Sequence, residues 1–452
     1  MSDMTSGLTN ELKALLPAPR RQTANGASRR TLLKGAAGAA SLFAAARIAL
    51  PGGAFAQGAG PEVKGTKLGY IALTDAAPLI IAREKGFYAK HGVPDMEITR
   101  QASWGATRDN IALGLARNGI DGAHMLRPKI HMYTAGTVTA NNVPVPMYNL
   151  LNLNEDCQGI SVSNEYKDLG VGLNAAPLKA AFERKKAQNK ELTAAMTFPG
   201  GTHDLWIRYW LAAGGIDPET DIKVITVPPP QMVANMKVGN MDVFCVGEPW
   251  NEQLVNQNIG FTAATTGELW NRHPEKVLGM RTDFVDANPR ATQAILMAVM
   301  EAQIWCEQPA NKQEMAEIVS RRQWFNVPVT DIIGRLRGET NYGNDRKVAD
   351  PKLAMKFWGA NGEASYPWKS LDSWFITENM RWGKFPANTD VKALVERTTR
   401  ADLWTSAARA LGLANLPNGD SRGVETFFDG VTFDPTDPMA YLRSLKIKRA
   451  GT

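Results

Sequence analysis

The chain has 452 residues, 44% of them hydrophobic and 21% charged, with 51 Lys+Arg against 45 Asp+Glu for a formal net charge of +6. That length is ample for a buried core and predicts two domains or more. The positive balance belongs to residues 1–56, where seven basic side chains face two acidic ones; residues 57–452 are near +1, which gives no ground for a nucleic-acid partner. Three cysteines, Cys157, Cys245 and Cys306, make an odd count without close pairs, which argues against a disulfide framework. They read as buried small apolar residues, with a single Cys157–Cys245 bridge left open. The five histidines (His91, His124, His131, His203 and His273) have no tight ligand spacing, so no metal and no cofactor is predicted.

Residues 1–56 read as an export leader. Ser28-Arg29-Arg30-Thr31-Leu32-Leu33-Lys34 resembles the twin-arginine motif, with Leu32 where Phe is usual. An Ala-rich apolar run follows from Gly35 to Leu50, interrupted by Arg47 and too short for a membrane span of about 20 residues. Ala54-Phe55-Ala56 is a small-x-small cleavage site, so the mature chain is expected to begin at Gln57. This route carries folded proteins into a bacterial periplasm. No later segment is apolar enough to span, so attachment to the inner membrane is expected only through a partner.

Along the mature chain, Lys67 to Leu73 alternates as a strand and Thr74-Asp75-Ala76-Ala77-Pro78 turns into a helix. A second strand covers Asp95 to Ala102, Ser103-Trp104-Gly105 turns into a second helix, and a third strand covers Ala123 to Leu126. This β-α-β-α-β order predicts a parallel sheet covered by helices, with ligands beyond the carboxyl ends of the strands, where Thr74 and Trp104 fall. Residues 143–156 read as a strand and crossover. A second alternating unit follows, with strands at Ile160–Ser163, Thr193–Phe198, Ile222–Val227 and Met241–Val246 and a turn at Gly247-Glu248-Pro249-Trp250. From Lys276 the chain is expected to return to the first unit, with a strand from Val277 and long helices near 289–306, 312–321 and 330–337. Residues 338–452 read as an irregular, aromatic wrapping extension. The expected layout is 57–155 with 262–452 as a discontinuous first lobe, and 156–261 as the second.

The most informative stretch is Phe198-Pro-Gly-Gly-Thr-His-Asp-Leu-Trp206: strand end, glycine turn, helix start. Glycines let the backbone turn sharply and approach a ligand, and a helix start carries free N–H groups that suit a small anion. Thr202 or His203 falls at the cap. Two α/β lobes joined by more than one crossover enclose a cleft, and an exported two-lobe protein is most economically a solute-binding protein of an ABC importer that closes by hinge motion.

The chain resembles the nitrate- and bicarbonate-binding subunits of ABC importers. The resemblance rests on Leu68-Gly-Tyr-Ile-Ala-Leu-Thr-Asp-Ala-Ala-Pro78, Ala102-Ser-Trp-Gly105, Asp121-Gly-Ala-His-Met125, Gln158-Gly-Ile-Ser161, Gly200-Gly-Thr-His203, Gly247-Glu-Pro-Trp250, His273-Pro-Glu-Lys-Val-Leu-Gly279, and Trp374 through Gly383, in that order over nearly all of the mature chain. It implies a type II periplasmic binding protein fold. It also implies that Trp104, Gln158, His203, the backbone at Gly247 and Lys276 hold the anion, with Thr74 lining the pocket. The bicarbonate-binding relatives carry an acid at the last position and use calcium there, so Lys276 implies nitrate or nitrite without metal. Around Gln158 the run Asn154-Glu155-Asp156-Cys157 departs from the pattern.

Nitrate is a planar monoanion that accepts hydrogen bonds and donates none. A ring of donors with one ammonium and no facing carboxylate is the expected site, and the empty cleft is expected to stay open and wet, since the ligand would be the ammonium's partner. Glu248, beside the site, is expected to turn away to a salt bridge. The partners implied are nitrate or nitrite and the permease and ATPase subunits of the importer, with the binding protein a monomer. Three rival readings stay open: a receptor for bicarbonate or another oxyanion, an enzyme using Cys157 or Cys245 with His203, and a cytoplasmic nitrate sensor.

Overall fold

The computed structural model describes residues 60–449; the leader read at 1–56 lies outside them. Two five-stranded sheets organise the described residues, and each is built the same way. In the first, β1 (Lys67–Tyr70) lies parallel to β2 (Glu97–Arg100) and β3 (Gly122–Leu126). In the second, β6 (Thr193–Met196) lies parallel to β7 (Lys223–Thr226) and β8 (Val243–Gly247). These strands are joined through helices packed on the sheet faces, as the alternating sequence predicts: in the first unit α1 (Ala77–Glu84) and α2 (Trp104–Leu113), in the second α5 (Thr202–Ala213) and α6 (Met232–Lys237), with α3 (Pro128–Ala135) after β3 and α4 (Pro177–Ala187) ahead of β6.

The β-α-β-α-β order gave no direction for the remaining strands, which include antiparallel ones. β10 (Lys276–Arg281) runs antiparallel between β3 and β4 (Met147–Asn152), and β5 (Gln158–Ser163) runs antiparallel between β8 and β9 (Gly260–Thr265). Both central antiparallel strands directly follow a crossing between the lobes, which brings the chain in from the opposite end of the sheet. The expected lobe boundary at 261/262 falls inside β9, which pairs with β5; the return crossing is made by residues 266–275.

Two crossings, 153–157 and 266–275, therefore join the lobes, and they pair with each other. Asp156 N–H donates to His273 O at 2.8 Å, and Glu275 N–H to Asn154 O at 3.2 Å. Residues after 338 add a third strand: Glu155 and Lys356 exchange backbone hydrogen bonds of 2.8 and 3.2 Å.

This extension is far more regular than the sequence suggests. It carries helices Lys369–Arg381, Val391–Thr398, Ala401–Ala410 and Pro438–Ser444. Helix Lys369–Arg381 is buried at every position except Lys369 and Ser373. A helix buried on all sides has no polar stripe, so the 3.6-residue pattern that reveals helices is missing. The same holds for α3, whose residues Pro128 to Thr134 are all buried. Trp374 of the extension stacks on Trp206 of the second lobe, with ring centroids 5.3 Å apart, while Asp372 receives Arg127 Nε of the first lobe at 2.7 Å. One extension helix thus packs on both lobes. Among the described residues, no helix is long and apolar enough to cross a membrane.

Candidate functional site

The carboxyl ends of the two sheets face each other, and the site residues sit on them. Leu73 and Thr74 follow β1; Ser103 caps α2 by accepting Ala106 N–H at 3.1 Å, which sets Trp104 as the first helical residue. Lys276 opens β10 opposite Leu126, the last residue of β3. From the other lobe, Gln158 opens β5 opposite Gly247, the last residue of β8, and His203 is the second residue of α5. The N-cap of α5 is Gly201, without a side-chain cap, so Thr202 and His203 lie within the first turn rather than at the cap. Gly200 takes φ +69°, and a side chain there would meet Asn379 and Met132, which is why the turn needs glycine.

The lobes touch at this junction. Thr74 N–H donates to Glu248 O at 2.8 Å and Trp250 Nε1 to Ala72 O at 3.1 Å. A Cβ on Gly247 would come within 3.3 Å of Asp75 Oδ2 and of Leu73 Cδ2. Trp104, Gln158, His203, Lys276 and Thr74 are all buried to 1% exposure or less. In this structure the lobes are in direct contact at the cleft, through these two hydrogen bonds and the close approach of Gly247 to Leu73 and Asp75.

Several of these buried side chains have polar atoms without a hydrogen-bond partner in the protein: Thr74 Oγ1, Trp104 Nε1, Gln158 Oε1 and Nε2, Thr202 Oγ1 and His203 Nε2. Buried polar groups are nearly always paired, and these six atoms, with Asp75 Oδ2 a seventh whose contact is the Lys276 ion pair, lie on elements that end at one junction. The set is rich in donors, but the Gln158 oxygen and the two hydroxyls can also accept.

A second finding overturns the picture of an ammonium that only a ligand would pair. Lys276 Nζ lies 2.9 Å from Asp75 Oδ2 and 3.4 Å from Glu275 Oε2. Burial pulls this ammonium toward neutrality, but the two carboxylates outweigh it and raise its pKa. Burial also opposes ionisation of Asp75, and here Lys276 and His124 prevail, holding the carboxyl below its usual range.

Both carboxylates have further partners of defined protonation. Asp75 Oδ1 lies 2.5 Å from His124 Nε2, while Ile71 N–H points at His124 Nδ1 at 3.5 Å, so the proton is on Nε2. Glu275 Oε1 accepts from Thr266 Oγ1 at 2.7 Å and lies 2.9 Å from His273 Nδ1. Indole donates only, so Trp206 Nε1, 2.6 Å from His273 Nε2, places the His273 proton on Nδ1. Burial lowers the pKa of His124, His203 and His273 and keeps these rings neutral. The Lys276 charge lowers His203 further, and the Trp104 ring packs on His124 with centroids 5.3 Å apart.

Residues 59–320 match the NMT1-like family. The chain is 59% identical to the nitrate/nitrite binding protein NrtA of Synechocystis sp. over 391 residues, 86% of each chain. It is 46% identical to the bicarbonate-binding protein CmpA of Synechococcus elongatus, covering 86% of this chain and 88% of that one. The crystal structure of the periplasmic nitrate-binding protein NrtA from Synechocystis superposes with a TM-score of 0.83 over 86% of this chain and all of that one. The chain belongs to this family. Its fold is that of a two-lobed type II binding protein, and its identity to the nitrate/nitrite-binding relative exceeds that to the bicarbonate-binding one.

Within this family fold, the structure gathers Lys276, the Gly247 backbone and Thr74 around Asp75, sets Trp104 against His124, and holds His203 within the field of Lys276. Gln158 is tied to the same point by its pairing with Gly247. Asp75, His124 and Glu275 were not singled out from the sequence, and Thr202 was read only as a possible helix cap. A signal existed for two of them: Asp75 adjoins Thr74 in the first turn, and His124 interrupts an otherwise small and apolar strand. Glu248 turns from the junction as expected, its Oε1 3.6 Å from Arg335 Nε, and burial pushes its carboxyl up to about 7. Cys157 and Cys245 are free and buried, with burial pushing both thiols well above their ordinary value. Such thiols are poor nucleophiles, which removes the basis of the enzyme reading.

Proposed function

We propose that this chain is the solute-binding protein of an ABC importer, capturing nitrate, and nitrite with it, in the interlobe cleft and presenting it to a permease and its ATPase subunits at the inner membrane. The protein works in the periplasm as a monomer after export by the twin-arginine route, and it catalyses no reaction. The observation that carries this reading is the group of buried, unpartnered polar atoms at the junction of the two sheets.

Trp104 Nε1 and Gln158 Nε2 donate to the anion. The Thr197 hydroxyl lies 2.6 Å from His203 Nδ1 and can donate to that nitrogen; in that tautomer the proton is on Nε2, the unpartnered atom, which then donates to the anion. Lys276 adds a charged donor and Gly247 its backbone N–H, with Thr74 lining the pocket. Hydrogen bonds to charged groups contribute about 1.5–3 kcal/mol each. Four or five of them, less the costs of association and closure, are consistent with micromolar affinity, about −8 kcal/mol.

The bicarbonate reading is weaker on two counts. The more similar relative named above is a nitrate/nitrite binder, and Lys276 with its two carboxylates occupies the ground where a cation would have to sit. Calorimetry on the protein lacking residues 1–56, with nitrate, nitrite, bicarbonate and sulfate, tests the proposal. Heat with nitrate and none with bicarbonate is the expected result, and no heat with nitrate overturns it.

A further inference from the structure

We propose that Asp75, steadied by His124, sets the charge class of the anion: by holding the Lys276 ammonium it lets the cleft accept a monoanion and refuse a dianion. The proposal deepens the anion-binding reading above and rests on it.

The geometry is specific. Both oxygens of Asp75 are engaged, Oδ2 by Lys276 at 2.9 Å and Oδ1 by His124 at 2.5 Å. The carboxylate lies against the closing lobe, because a Cβ on Gly247 would be 3.3 Å from Oδ2. Glu275 approaches the same ammonium from the next position at 3.4 Å. One ammonium thus faces two carboxylates, and the other donors, from Trp104, Gln158 and the neutral His203, carry no net charge.

The consequence follows from how dehydration scales with charge. The cost of taking an ion out of water rises with the square of its charge, whereas the return from neutral donors rises far less steeply. A monoanion can be held by such a set. A dianion needs uncompensated positive charge, and here the positive charge is already shared, so the repulsion built against the wrong ligand gives the discrimination. Asp75 acts through Lys276, as a positioning residue that also sets the charge balance. Its carboxyl is held below the usual range, so the filter operates throughout the neutral region.

Sulfite provides the probe. It has three oxygens like nitrate, and it passes from dianion to monoanion as pH falls through neutrality. The experiment is calorimetry of nitrate and sulfite at alkaline pH on wild type, Asp75→Asn and the charge-conserving Asp75→Glu, with ligand-free melting curves for each. The expected result is that Asp75→Asn raises the affinity for dianionic sulfite relative to nitrate by on the order of tenfold or more, and that Asp75→Glu restores the wild-type preference. A residue with a purely structural role would weaken both anions together, so an unchanged ratio in a folded Asp75→Asn variant overturns the proposal.

Should Asp75→Asn fail to fold, wild type alone decides. Sulfite competes with nitrate at mildly acidic pH and loses about tenfold or more in relative affinity at alkaline pH; equal competition at both refutes the charge filter. Wild-type protein that binds no nitrate at all refutes the functional reading itself, a result distinct from nitrate binding with an unmoved ratio.

Discussion

The substitution Lys276→Glu tests the electrostatic core of the site. Lys276 lies 2.9 Å from Asp75 and 3.4 Å from Glu275 and is fully buried. Replacing it reverses one charge, a change of two units next to the anion. Unit charges 4 Å apart interact by about 4 kcal/mol at an effective dielectric constant near 20, so the change amounts to about 8 kcal/mol. That equals the whole free energy of a micromolar complex, about 8 kcal/mol, so nitrate binding should vanish from calorimetry. The ligand-free protein suffers as well. Breaking a buried pair costs about 3–5 kcal/mol, and three carboxylates would now share one dry space. A divalent cation would relieve that repulsion, so calcium should raise the melting temperature of the variant and leave wild type unmoved. Bicarbonate heat that appears only with calcium would complete the switch. If Lys276→Glu retained nitrate affinity within tenfold of wild type, Lys276 would lie outside the site and the reasoning would fail.

Three further outcomes are expected. Gly247→Ala puts a Cβ within 3.3 Å of Leu73 and Asp75 across the cleft, a crowding of about 1–3 kcal/mol on the closed form, and should weaken nitrate by about one to two orders of magnitude in calorimetry. Burial raises the Glu248 carboxyl from an ordinary 4.5 to about 7, so the folded state holds that proton more tightly than the unfolded chain and stability falls as pH climbs from about 4.5 through about 7. At about 1.4 kcal/mol per unit the loss above that range is about 3 kcal/mol, and Glu248→Gln should show a flatter melting temperature against pH than wild type. Trp374→Ala empties a fully buried position between Trp206, at 5.3 Å, and Trp270, at 5.0 Å; a loss of about 3–5 kcal/mol is expected in urea denaturation.

How far the sequence could be read depended on whether a feature is local. The Gly200-Gly201-Thr202-His203 turn was legible because glycine freedom, strand end and helix start all lie within a few residues. The alternating elements of both lobes were legible for the same reason. The antiparallel strands β5 and β10 were not, because their direction depends on where the chain crosses between lobes, and no short window records that. Asp75 meets His124 across 49 residues, and Lys276 is set by both Asp75 and its own neighbour Glu275. An isolated aspartate in a turn carries no sign of such a partner, so reasoning from donors alone supplied the ammonium and omitted its counter-charges. Helices α3 and Lys369–Arg381 were hidden by complete burial, which removes the polar stripe that pattern reading needs.

The extension after residue 338 bears on how the cleft can open. Glu155 of the first crossing pairs with Lys356 through the backbone and with Arg272 and Arg422 through its carboxylate, at 3.1 and 3.0 Å. Arg422 Nη1 also donates to Arg272 O at 2.9 Å, so one side chain of the extension ties both crossings. Directly after Glu155 the backbone takes left-handed conformations at two successive non-glycine residues, Asp156 with φ 62° and Cys157 with φ 78°, and then enters β5 at Gln158. Such conformations are costly for side chains with a Cβ and persist where surrounding contacts impose them. The Asp156 contacts with His273 on the return crossing are of that kind: Asp156 N–H donates to His273 O, and Asp156 Oδ1 accepts His273 N–H at 2.9 Å. The contacts of Glu155 and Asp156 thus fix both crossings together immediately ahead of β5, so the position of Gln158 is set by the same network that joins the lobes.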